Sequence, residues 1–126
     1  MSKILIIDDD PDIIEATKVF LDAKGHQVKS AYNKADGHKI IKEFEPDLLI
    51  LDVMMEQPDD GIMMAQELRK DGFNSPILMV SGISKVTGLD YGKDNTMVPV
   101  DAFLEKPIRP EILMAKVEEL LKPKED

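Results

Sequence analysis

A chain of 126 residues, 43% hydrophobic and 33% charged, is long enough for one globular domain and too short for two ordinary ones. Its 16 Lys and Arg against 25 Asp and Glu leave a formal net charge of −9, which argues against direct nucleic-acid binding and against adhesion to anionic membranes. Cysteine is absent, excluding disulfides and zinc–thiolate centres, and no apolar run has the length of a membrane span or the form of a secretory leader, so a cytoplasmic protein is expected.

The first predicted element is the strand Lys3–Ile7, K-I-L-I-I, which runs directly into three aspartates, Asp8, Asp9 and Asp10. Asp10-Pro11 has the form of a helix start, with Asp as N-cap and Pro at the first helical position. Ile13, Thr17, Phe20, Leu21 and Lys24 keep helical spacing, and Gly25 supplies a stop. Gln27–Ala31 is a more polar strand, expected at a sheet edge. Asn33 caps a second helix that runs through Phe44. Asp47–Leu51 and Pro76–Val80 are further apolar strands, separated by a third helix from about Gly61 to Asp71 with Ile62, Ala65 and Leu68 on one side. Residues 83–100 have no sustained period and contain glycines, a proline and an asparagine, so an irregular fourth helix within a loop is expected there. Asp101–Glu105 reads as the second edge strand, and Pro110 opens a last helix with Leu113, Val117, Leu120 and Leu121 as its core stripe. Residues 1–122 then form one domain, and 123–126 a tail or the start of a linker.

Strand and helix alternate about five times, and the central strands are apolar on both faces. That pattern calls for an α/β fold, a doubly wound parallel sheet with helices on both faces; the flavodoxin-like three-layer sandwich with five strands in the order 2-1-3-4-5 is the form expected from the family resemblance given below. In such sheets ligands bind beyond the carboxyl ends of the strands, at the crevice between strands 1 and 3. The polar residues delivered to that edge are Asp8 and Asp9 after strand 1, Asp52 after strand 3, Ser81 after strand 4, and Lys106 with Pro107 after strand 5. Converging carboxylates repel one another unless a cation lies among them. With oxygen ligands alone on offer the cation is a hard one, and Mg²⁺ suits a site of few carboxylates, several waters and a phosphoryl oxygen. A lysine and a hydroxyl beside it complete a constellation suited to phosphoryl transfer by position and electrostatics.

The segments I-I-D-D, L-I-L-D-V-M-M, M-V-S-G and F-L-E-K-P, in that order, resemble the receiver domain of two-component response regulators over essentially the whole chain. The chemotaxis member of that family is one of the proteins on which the crevice rule rests. The resemblance implies a signalling module, not an enzyme with a separate substrate. Its Asp52 would accept a phosphoryl group from a sensor histidine kinase or phosphotransfer protein. It also implies that Asp9 binds Mg²⁺ directly, Asp8 largely through water, and the Met54 carbonyl completes the protein ligands. Lys106 would contact the phosphoryl group, with a Lys106–Pro107 bond that is typically cis in the family. Ser81 would be the switch hydroxyl and Phe103 the switch aromatic. Phosphorylation would then alter the face made by the fourth helical region, the fifth strand and the last helix, and so the affinity for a downstream protein.

Several positions depart from the family pattern. Glu56 stands where the family usually has proline, in a loop one residue longer than usual, and adds negative charge near the site. Gly82 suits close phosphoryl approach, whereas Val98-Pro99-Val100 replaces the usual Gly-Ala before the fifth strand. Met54 and Ile83, two residues after Asp52 and Ser81, are apolar at positions that govern water access, which implies slow self-dephosphorylation.

Two rivals follow from the same residues. One is a pseudo-receiver that binds protein without being phosphorylated. The other is a phosphatase of the haloacid-dehalogenase type using Asp8 and Asp10, which would leave Asp52 idle and lacks a second acidic pair. A calcium loop over Asp8, Asp10 and Asp12 is rejected, because Ile13 stands where glycine is required and no Glu closes it. Met54, Met55, Met63 and Met64 read as packing residues, and His26 and His38 as surface residues.

Overall fold

The computed structural model describes residues 2–53, 60–81, 100–105 and 109–121, with Ser81 described through its backbone alone. In chain order the elements are β1 (Lys3–Ile7), α1 (Pro11–Ala23), β2 (Gln27–Ala31), α2 (Lys34–Phe44), β3 (Leu48–Asp52), α3 (Asp60–Lys70), β4 (Ile77–Ser81), β5 (Ala102–Glu105) and α4 (Pro110–Leu121). All five strands are parallel, in the order β2-β1-β3-β4-β5, as expected from the sequence. The irregular 83–100 segment lies outside the described residues except for Val100, as does the tail from residue 122.

Two strands begin one residue later than their apolar runs. Asp47 turns its carboxylate onto the Lys3 backbone N–H at 2.8 Å and so closes the start of β1 rather than joining β3. Pro76 has no N–H to give to the ladder, though its carbonyl accepts from Leu49 at 3.0 Å. The shift makes Asp52 and Ser81 the last residues of β3 and β4.

The pleat splits the core in two. Leu5 and Ile7 of β1, Leu49 and Leu51 of β3, and Ile77 and Met79 of β4 pack with Ile41, Phe44, Met64, Ala65 and Leu68 of α2 and α3. Ile4, Ile6, Leu48, Ile50, Leu78 and Val80 face the other way, onto Ile14 and Leu21 of α1 and Leu113 and Val117 of α4. Every residue of β3 is buried, which explains why its sequence shows no polar alternation. Each fully buried Leu or Ile contributes about 1.5–3 kcal/mol by leaving water.

Local signals set the helix ends. Asp10 caps α1 by accepting from the Asp12 N–H at 2.9 Å, and Gly25 follows the helix with φ +87°. Asn33 caps α2 by accepting from Asp36 at 2.8 Å. The α2 C-cap is Glu45, which adopts φ 51° without being glycine. The apolar face of α1 differs from its expected stripe: Ile14, Thr17 and Leu21 are buried, while Phe20 is 40% exposed and Lys24 lies at the surface. The helix is rotated so that positions 14, 17 and 21, themselves spaced by three and four, meet the sheet. Among the described methionines Met64 packs in the core, but Met63 is 43% exposed, so only one of that pair is a packing residue. His26 and His38 are half-buried and both have partners, the Ser2 N–H at 3.3 Å and Glu67 Oε1 at 3.2 Å.

Candidate functional site

Strand register builds the site. The last register pair between β1 and β3 is Ile7 with Leu51, so the next residue on each strand, Asp8 and Asp52, reaches the same edge side by side. Both have the parity of Ile6 and Ile50 and follow the α1–α4 face of the pleat. Asp8 stays tied to the end of β2 through its N–H to Ala31 O at 3.1 Å. Beyond Asp52, Val53 donates to Val80 O at 2.9 Å and accepts from Gly61 N–H at 2.7 Å. The end of β3 is thus held by β4 on one side and by the first turn of α3 on the other.

Asp8, Asp9 and Asp52 each bring a carboxylate oxygen into a group whose members all lie within 4.8 Å of one another. Asp8 and Asp52 are buried, at 3% and 5% exposure, while Asp9 is exposed. Carboxylates brought this close repel one another, and a shared cation relieves that repulsion. All three donors are oxygens, the set a hard divalent ion prefers, so the residues present fit a metal of that class. Asp10 is not part of the group. Its backbone N–H donates to Asp8 Oδ1 at 3.0 Å and its side chain caps α1. The arrangement separates the three consecutive aspartates by role, and it removes Asp10 from the chemistry that a haloacid-dehalogenase reading needs.

The remaining expected residues are placed unevenly. Ser81 ends β4 in register with Glu105, and Lys106 follows Glu105 directly in the chain. The side chain of Ser81, and Met54, Glu56, Gly82, Ile83, Lys106 and Pro107 as a whole, lie outside the described residues. Phe103 is half-buried on β5 and packs against the core cluster on the α2–α3 side. Gly61, which packs on the end of β3, escaped the sequence reading. The sequence marks it only as the approximate start of the third helix.

Comparison with known proteins decides the family. The model of the response regulator receiver domain matches residues 4–118. This chain belongs to the response regulator receiver domain family. Relatives of this receiver include the DNA-binding dual master transcriptional regulator RpaA of Synechocystis sp., 34% identical over 97% of the chain and 50% of the relative. Response regulator MprA of Mycobacterium avium is 34% identical over 98% of the chain and 54% of the relative. The receiver therefore spans about half the length of these curated relatives. Among solved structures, a CheY-like receiver domain protein from Methanospirillum hungatei superposes with TM-score 0.83 at 25% identity, covering 96% of this chain and 94% of that one. A signal receiver domain from Bermanella marisrubri gives TM-score 0.82 at 30% identity, covering 95% and 98%. The receiver is a signalling domain.

One expectation is corrected. The net charge argues against direct nucleic-acid binding, yet the relative RpaA is a DNA-binding regulator. The physical error is one of scope: the field of an acidic domain governs its own surface and says nothing of further domains in a longer protein. Among the described residues no helix is long and apolar enough to cross a membrane.

Proposed function

We propose that Asp52 is the phosphoacceptor of this receiver and that Asp8 and Asp9 hold Mg²⁺ beside it. The observation that carries the reading is the meeting of the three carboxylates at the β1–β3 crevice. In the transfer an Asp52 carboxylate oxygen attacks the phosphorus of the donor. The bond from phosphorus to the donor's histidine nitrogen breaks, and the electron pair leaves with the imidazole, which takes up a proton. Bound Mg²⁺ would supply charge neutralisation for the phosphoryl oxygens. Asp8 and Asp9 would hold the ion, Lys106 would contact the phosphoryl group, and the Met54 carbonyl would complete the protein ligands, as the family resemblance implies. The partner is a sensor histidine kinase or phosphotransfer protein.

The acyl phosphate adds charge and acceptor oxygens at the strand edge. Ser81 moves toward it and Phe103 repacks, changing the surface formed by the 83–100 segment, β5 and α4. A half-buried Phe103 on the edge strand β5, packed against the core cluster, is consistent with this role. Apolar Met54 and Ile83 favour a long-lived phosphorylated state.

The test is incubation with Mg²⁺ and acetyl phosphate followed by intact-mass measurement. One added phosphoryl group is expected for the wild type and none for Asp52→Asn. An unchanged mass, under conditions that label a control receiver, would leave a receiver fold that binds protein without phosphorylation.

A further inference from the structure

The end of β3 is covered in an unusual way. Gly61, the second residue of α3, is buried, and a Cβ built on it would overlap the Asp52 carbonyl oxygen and come within 2.7 Å of Val53 Cα. Real Cβ atoms do not approach backbone so closely, and backbone cannot swing aside as a side-chain tip can. Nor can β3 retreat, because it is buried throughout and paired on both sides, with β1 and with β4. The Gly61 N–H is committed in the same place, to Val53 O at 2.7 Å. Helix α3 therefore lies directly on the peptide that joins Asp52 to Val53. The absence of a side chain is what permits that contact.

We infer that Gly61 is a positioning residue for the acidic site: by seating the first turn of α3 on the Asp52–Val53 peptide, it fixes the Asp52 carboxylate against Asp8 and Asp9. This role deepens the phosphoacceptor reading and rests on it. A carboxylate is aimed by its backbone, and the restraints on the Asp52 peptide include the β1–β3 ladder, the Val53–Val80 bond, and Gly61. The first two are ordinary sheet bonds. The third is the one that a single methyl group removes, by pushing α3 off the strand end or by rotating the Asp52 carbonyl. Either movement disturbs a ligand group whose oxygens lie within 4.8 Å of one another. Misplacement by about 1 Å is enough to cost up to ~100-fold in a reaction that depends on position.

Gly37 supplies the control. A Cβ there would also clash, but with the side-chain tips of Ile7 and Met64 in the core, not with the backbone of Asp52. Gly61→Ala and Gly37→Ala are to be compared with wild type by thermal unfolding, by calorimetric titration with Mg²⁺ alone, and by the rate of mass gain with Mg²⁺ and acetyl phosphate. Both variants are expected to lose stability. Folded Gly61→Ala should also bind Mg²⁺ several-fold more weakly and gain phosphoryl groups at least tenfold more slowly, while folded Gly37→Ala keeps wild-type values of both. Wild-type affinity and rate in folded Gly61→Ala would overturn the inference, as would equal losses in Gly37→Ala. If Gly61→Ala does not fold, the ¹⁵N spectrum of the wild type decides. The Gly61 and Val53 amide signals should move with Mg²⁺ at the calorimetric midpoint, and fixed signals would overturn the inference. A wild-type chain that takes neither Mg²⁺ nor a phosphoryl group overturns the phosphoacceptor reading first, and this inference with it.

Discussion

The backbone N–H of Asp10 donates to Oδ1 of Asp8 at 3.0 Å, so the residue that starts α1 also steadies a carboxylate of the acidic site. This bond uses the Asp10 main chain, whereas the cap on Asp12 uses its side chain. The two roles can be separated by mutation. Asp10→Ala removes the cap and should cost about 1 kcal/mol of stability, seen as a lower urea midpoint at unchanged slope. Because the main-chain bond survives, calorimetry should find Mg²⁺ affinity within about twofold of wild type, a difference of roughly 0.4 kcal/mol. Asp8→Ala should abolish most of that affinity.

Ligand linkage gives a second test, independent of phosphorylation. An ion bound only by the folded chain stabilises it by about 2.7 kcal/mol at a hundredfold excess over Kd. Mg²⁺ should therefore raise the unfolding temperature of the wild type, and EDTA should reverse the rise. In Asp52→Asn or Asp9→Asn the rise should be much smaller at the same Mg²⁺ concentration.

At the opposite edge of the sheet Arg69 joins α3 to the starts of two strands. Its guanidinium donates to Phe73 O at 2.7 Å, to Ser75 O at 2.9 Å and to Asp101 Oδ2 at 2.9 Å, and the same Asp101 oxygen accepts from Ile77 N–H at 2.8 Å. Arg69→Met should destabilise by about 2 kcal/mol, since charge-assisted bonds to main-chain carbonyls are lost together. Asp101→Asn should cost less. Chemical denaturation of the two single variants and the double variant will give their coupling, and strictly additive losses would show the Arg69–Asp101 pair to be energetically idle.

Glu45 ends α2 in a left-handed conformation that favours glycine, and its side chain is exposed. Glu45→Gly should raise stability by about 0.5–1 kcal/mol, the relief of strain exceeding the extra chain entropy of glycine. The measurement is again a denaturation midpoint, with Mg²⁺ affinity unaffected.

Much of the fold was legible because its signals are local. Apolar runs such as K-I-L-I-I and the caps Asp10-Pro11 and Asn33 act within a few residues, and alternation with right-handed crossovers gives a doubly wound parallel sheet, while the strand order itself came from the family resemblance. The acidic site was legible for a related reason: strand ends are easily located, and parallel strands send theirs to one edge. What escaped was set by tertiary contact. The buried face of α1 is chosen by how the helix rolls on the sheet, so Ile14 replaced Ile13 and Phe20 remained exposed. The stop at Glu45 carries no glycine to announce it. Gly61 matters through an atom of Asp52, which no periodicity reveals. Net charge describes the surface of one domain and does not report the partners of a longer protein that contains it.

Asp8 and Asp52 become neighbours only after α1, β2 and α2 have been laid between them. No local segment can assemble the three carboxylates, so a partly folded chain in which β1 and β3 have not paired lacks the cation site altogether. Divalent-ion binding then reports long-range closure of the chain rather than helix formation. If β1–β3 pairing follows the rate-limiting step, Mg²⁺ should slow unfolding and leave the folding rate unchanged, and the chevron would shift in one arm alone.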